Sequence, residues 1–152
     1  MKRLIVPFFI LLLVMGCKEI FEAPPQALLL ASFHNSSTKI AMSPVITIQG
    51  VGRDTLWVNE QSSYNVLLPL TFKDTTRYII SLDSKTDSLI FVHTATKKYA
   101  SVETGFYYEY KLHSVRFTRN RIDSLQIIDS LVTTKWHENI KLYIHPLPAV
   151  GQ

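Results

Sequence analysis

Ile140-Lys-Leu-Tyr-Ile-His-Pro-Leu-Pro148 decides the fold class. Ile140, Leu142 and Ile144 alternate with Lys141, Tyr143 and His145, so a strand here shows one apolar and one polar face. Pro146 and Pro148 end the pairing, because neither can donate to a ladder. The same period of two recurs upstream in short β-branched and aromatic runs at 27–34, 45–50, 55–58, 66–70, 77–82, 88–96, 106–112, 115–118 and 124–128. No segment reads as a helix, and about eight of these runs are expected to stand as strands.

Many short strands with Gly and Pro at the corners predict an all-β domain over 26–148: a single antiparallel β-sandwich, immunoglobulin-like or Greek-key, with a small barrel as the alternative. Gly50 and Gly52, two apart in Gly-Val-Gly-Arg-Asp54, predict a bulge or tight corner with positive φ. A phosphate-cradling loop would need a helix after it, which the pattern lacks. Phe106, Tyr108 and Tyr110 share one face of their strand. In a small domain without disulfides they are expected to lie inward, and Trp57 and Trp136 likewise.

The amino-terminal segment has a different pattern. Lys2 and Arg3 precede the apolar run from Leu4 to Met15, and Val14-Met-Gly-Cys17 matches a bacterial lipobox, in which a small residue precedes a cysteine to be lipidated. The run is short of the ~20 residues a spanning helix needs. Residues 1–16 therefore read as a lipoprotein signal peptide, Cys17 as the lipid attachment site, and 17–25, ending in Pro24-Pro25, as a semi-rigid tether. Several acyl chains hold a protein to a membrane where one chain holds only marginally. Cys17 is the only cysteine in the chain, so the core must hold the fold without disulfides. Loss of Lys2 and Arg3 lowers the net charge from +4 to +2. That balance gives no basic patch for nucleic acid.

Chemistry-bearing residues are scattered. The five histidines, at 34, 93, 113, 137 and 145, show no metal-ligand spacing, and His137-Glu138 lacks the second histidine of a metalloprotease helix. His113 and His145 read as surface or strand-end residues. No Gly-x-Ser-x-Gly elbow is present, although a triad assembled from distant segments would leave no local trace. No catalytic residue, metal or cofactor is expected.

All six aspartates, at 54, 74, 83, 87, 123 and 129, are followed by Ser or Thr, although those types fill only 26 of 152 positions. Chance gives this on the order of once in tens of thousands. One reading is structural: Asp and Ser bond nearby backbone at turns, and the next residue enters a strand.

The segments Ala23-Pro-Pro-Gln-Ala-Leu-Leu-Leu-Ala-Ser-Phe33, Gly50-Val-Gly-Arg-Asp54, Leu68-Pro-Leu70, Asp87-Ser-Leu89, Arg121-Ile-Asp-Ser124 and Glu138-Asn-Ile-Lys141 together resemble a family of small uncharacterised lipoproteins from Bacteroidetes. The family would lead one to expect Cys before Gly105, where this chain has Thr104. The resemblance brings no activity with it but does imply a phylum. Bacteroidetes O-glycosylate exported proteins at Asp-Ser or Asp-Thr followed by a small aliphatic residue, Met or Thr. Five sites match, making Thr55, Thr75, Ser88, Ser124 and Ser130 candidate acceptors, with one to three expected to be used. Lys18 after the cysteine, with only a partial acidic run behind it, implies an outer-membrane protein whose domain faces the periplasm.

Two functions stay open. The first is a non-catalytic envelope module that binds an envelope protein or a glycan. The second is a small enzyme, or accessory subunit of one, acting on polysaccharide or peptidoglycan, for which two of Glu60, Glu103, Glu109 and Glu138 would have to converge.

Overall fold

The computed structural model describes residue 23 and residues 25–147. The signal segment 1–16, Cys17, most of the tether and Pro148 lie outside the described residues.

The described residues are all-β, in ten strands: β1 (Leu28–Asn35), β2 (Val45–Gly50), β3 (Leu56–Ser62), β4 (Asn65–Pro69), β5 (Thr75–Leu82), β6 (Lys85–Ser101), β7 (Gly105–Phe117), β8 (Ile122–Ile127), β9 (Leu131–Val132) and β10 (Glu138–Ile144). They form a four-stranded sheet, β4-β1-β10-β8, and a six-stranded sheet, β3-β2-β5-β6-β7-β9. Neighbours run antiparallel except β1 and β10, which pair parallel, Ala31 opposite Ile140 and Phe33 opposite Leu142. The first and last strands thus lie side by side in the centre of the smaller sheet. The runs at 106–112 and 115–118 are one strand with a register shift, β7, while β9 is too short for periodicity to reveal.

One core fills the space between the sheets. Leu29, Ala31 and Phe33 of β1 and Ile140, Leu142 and Ile144 of β10 face Ile46 and Ile48 of β2, Ile80 and Leu82 of β5 and Leu89 and Phe91 of β6. Period-two alternation makes this possible, since every second side chain of each strand points to the partner sheet. Burial of an aliphatic side chain of this kind contributes ~1.5–3 kcal/mol.

At both corners a continuous stretch of chain passes from one sheet to the other. Ser63 N still donates to Pro44 O beside β2, whereas the next residue, Tyr64, already accepts from Phe33 N of β1 at 2.9 Å. On the opposite side Ile128 N donates to Asn139 O, and Ser130 O accepts from Leu112 N of β7. Strands that switch sheets at corners bring the sandwich close to a barrel. Asn139 secures the second corner: Oδ1 accepts from Leu30 N, where the β1–β10 ladder slips, and Nδ2 donates to the carbonyls of Asp129 and Leu131.

The turns follow local chemistry. Gly50 O accepts from Arg53 N, and Gly52 has φ +82°, so only Gly52 of the expected pair takes the positive φ. Asp83 and Ser84, at φ 48° and 69°, form the two-residue turn of the β5–β6 hairpin, whose mirror-image twist suits the flanking strands.

Asp87 is buried within β6 rather than at a turn. Its Oδ1 accepts from Thr118 Oγ1 at 2.7 Å and Asn120 N at 2.8 Å; its Oδ2 accepts from Arg121 N at 2.7 Å and Ile122 N at 3.0 Å. Arg121 in turn reaches Asp83 Oδ2 at 2.7 Å, and Asp83 Oδ1 accepts from Val45 N. Replacing Asp87 strands several buried donors, each at ~1–3 kcal/mol. Asp87→Ala should cost about 3 kcal/mol or more in urea unfolding and Ser88→Ala under about 1 kcal/mol, because the Ser88 side chain makes no hydrogen bond among the described residues and only its N–H donates, to Thr118 Oγ1.

Candidate functional site

A cleft of about 1160 Å³ opens at the end of the sandwich where β1 begins. Its walls come from residues Pro25 to Leu28, the β2–β3 turn with Arg53, Trp57 at the start of β3, the β4–β5 connection to Asp74, and the starts of β5 and β7. The turn is braced by Gln49, whose amide donates to Arg53 O at 2.8 Å. Trp57 is fixed by Nε1 donating to Leu67 O at 2.7 Å, leaving its ring half exposed.

Two buried phenols form the floor. Tyr78 OH donates to Pro69 O and Tyr110 OH to Leu70 O, so the β4–β5 connection is held by its carbonyls from below. Burial pushes the Tyr78 hydroxyl up to about 12, with Arg53 pulling the other way, and burial raises Tyr110 as well. Both therefore serve as neutral donors at ordinary pH. Thr71 N donates to Thr76 Oγ1 at 2.9 Å, and Thr76 Oγ1 meets Nε2 of buried His93 at 2.8 Å. The His93 ring packs edge-on against Tyr110, and its Nδ1 has no hydrogen-bond partner among the described residues.

The aromatic expectations need correction. Of the β7 stripe only Tyr110 is core at 9% exposure; Tyr108 is 37% and Phe106 56% exposed, because the β6–β7 hairpin runs on past the end of the opposite sheet. Trp57 and Trp136 are each 49% exposed rather than buried. Their indole N–H groups bond carbonyls of β4 and Gln26, which holds both rings at the surface, and of the two only Trp57 lines the cleft. Alternation assigns a face, but only packing decides whether anything covers it.

The cleft therefore offers rings from Trp57, Phe72, Phe106 and Tyr108, together with Arg53, Lys73 and Arg77, against one carboxylate, Asp74. None of those three cations is in an ion pair among the described residues. Glu60, Glu103, Glu109 and Glu138 do not line it. A second polar group lies on the smaller sheet, where Ser32 Oγ is 2.5 Å from Glu138 Oε1 and 3.0 Å from His34 Nε2. Here the hydroxyl stands between carboxylate and imidazole, whereas a nucleophile triad needs the imidazole in the middle. No group of three or more metal-ligating side chains occurs among the described residues. His113 and His145 are exposed, as expected of surface and strand-end positions.

The candidate acceptors are dispersed. Thr55 is exposed in the β2–β3 turn and Thr75 half-buried at the start of β5, both lining the cleft. Ser88 is half-buried in β6 behind the buried Asp87. Ser124 lies in β8 with its hydroxyl on Asp123 Oδ2 at 2.9 Å, and Ser130 lies at the β8–β9 corner. Thr104 sits in the β6–β7 turn, bonded to Ser101. Cys17 lies outside the described residues. Asp129 makes a local turn, accepting from Leu131 N at 2.8 Å, and that bond, with help from His137, holds its carboxyl below the usual range.

A family model described as a family of unknown function (DUF6452) matches residues 45–144, from the first residue of β2 to the last of β10. No curated protein and no solved structure matches the chain.

Burial holds His93 below the usual imidazole range; Asp74 pulls it up and His113 pushes it further down. The unfolded chain then takes up a proton near pH 6.5 where the folded chain does not. Stability is fully present above that pH and is lost as pH falls toward the depressed folded-state value. Urea midpoints should fall between about pH 7 and 5, and His93→Gln should flatten that part of the profile.

Proposed function

The chain belongs to that family of unknown function, whose description assigns no activity, and we propose its role from its own residues: a lipid-anchored envelope module that binds a glycan without transforming it. The cleft carries this reading. Aromatic faces at its rim match the apolar faces of sugar rings, and Arg53, Lys73 and Arg77 suit acidic substituents. The floor is built for rigidity, with two phenols committed to backbone carbonyls. Preorganisation of this kind lowers the ordering cost of binding.

In this reading Cys17 carries the lipid, residues 1–16 are removed, and the domain hangs from the outer membrane facing the periplasm. O-glycans fall on Ser124 and Ser130. Their motif aspartates, Asp123 and Asp129, have side chains exposed by 42% and 43%, while Asp87 is buried and sugar on Thr55 or Thr75 would crowd the cleft.

Calorimetry with neutral and acidic oligosaccharides chosen from a glycan array tests the binding. Trp57→Ala and Phe72→Ala should each weaken it about tenfold, worth ~1.4 kcal/mol, with urea stability within about 1 kcal/mol of the parent. A folded protein that binds no glycan on the array sinks the proposal. For the anchor and the sugars, intact mass of protein from its own envelope should show lipid on a chain starting at Cys17 plus sugar lost in Ser124→Ala and Ser130→Ala. A mass equal to peptide plus lipid alone rejects the glycosylation, and a mature chain that carries no lipid at Cys17 rejects the anchor.

A further inference from the structure

The two ends of the sandwich differ in chemistry. At the cleft end, both tryptophans of the chain are half exposed, and Phe72, Tyr99, Val102 and Phe106 are exposed beside them. Trp136 belongs to this end because its Nε1 donates to Gln26 O at 2.8 Å. Tyr99 and Phe106 pack edge to face, and Lys97 lies 4.1 Å over the Phe106 ring, so the hairpin tip presents a preformed aromatic knob. The opposite end carries the Asp83-Ser84 turn, Thr118 to Arg121 and the polar run Asn35 to Lys39; the exposed large apolar residues beside these, Ile40, Val45 and Tyr64, include no tryptophan or phenylalanine.

Chain length says what faces the cleft end. The first residues of the domain, Pro25 to Leu28, line the cleft. From Cys17 to Pro25 is eight residue steps, at most about 29 Å fully extended. β6 alone, with 17 residues, is about 56 Å long. A tether shorter than the domain keeps the end it leaves from nearest to the anchor. Half-exposed Trp and Tyr beside Lys and Arg are the side chains that settle at a bilayer's headgroup layer.

We propose that the cleft end of this domain is seated on the membrane, with Trp57, Phe72, Phe106 and Trp136 in the headgroup layer. The seat rests on the lipid-anchored reading alone; it competes with the glycan reading for Trp57 and Phe72, so a seated domain takes up glycan only by lifting off the bilayer. Lys98 pairs with Glu109 at 3.9 Å, while the cleft's Arg53, Lys73 and Arg77 outnumber its one carboxylate, Asp74, so lipid charge adds to apolar insertion.

The test uses the lipidated full-length protein in vesicles of phosphatidylethanolamine and phosphatidylglycerol, with and without dibrominated phosphatidylcholine. Tryptophan emission should shift to the blue on reconstitution and fall about twofold or more with brominated lipid, in both Trp57→Phe and Trp136→Phe. Ile40→Trp, placed in the Trp57→Phe, Trp136→Phe background, reports the opposite end and should lose under about a tenth. Lipidated, vesicle-bound protein whose tryptophans escape the bromine overturns the seat alone. Blue-shifted but unquenched tryptophans with a dimer in sedimentation assign the face to a second copy and also overturn it. Protein without lipid at Cys17 overturns the anchor reading, and the seat with it.

Discussion

The buried carboxylate of Asp87 fixes the geometry on which the rest of this domain depends. It takes four hydrogen bonds from residues 118 to 122, the segment that carries the chain from β7 in the larger sheet to β8 in the smaller. Arg121, set by that grip, bonds Asp83 at the β5–β6 turn, and Asp83 bonds the start of β2. One polar network thus ties three connections together at one end. A buried carboxylate is tolerable only with such full satisfaction, because each missing partner would cost on the order of a hydrogen bond or more.

With that end closed by polar bonds, the opposite end is free to be a cleft. Its floor is also polar chemistry under apolar cover: Tyr78 and Tyr110 hold the β4–β5 carbonyls, and Thr76 joins Thr71 N of the same connection to His93. These groups are spent on structure, which is why the rim, rather than the floor, carries the candidate function. The sheet-switching corners make the same division possible, since they leave β3 and β9 at the margins and let the β6–β7 hairpin extend alone past the core.

The aspartate pattern shows how one sequence signal divides between roles. Asp83 and Asp129 make turns, as their Asp-Ser pairs imply, but Asp87 lies inside a strand and acts across 30 or more residues. Nothing local distinguishes Asp87-Ser-Leu from Asp123-Ser-Leu. The difference is that one carboxylate meets the β7–β8 connection and the other meets solvent and His145 at 3.8 Å.

The sequence by itself determined the all-β class and most strand positions, because alternation is a local property that each strand carries in its own residues. It also determined the Gly52 corner and the core face of β10. Only the tertiary structure decided that β1 and β10 pair in parallel, that Trp57, Trp136, Phe106 and Tyr108 stand open, and that residues as distant as Pro25, Phe72 and Tyr110 share a cleft. Periodicity tells which way a side chain points; what lies opposite it depends on strand order and on where each sheet ends, which are properties of the whole chain.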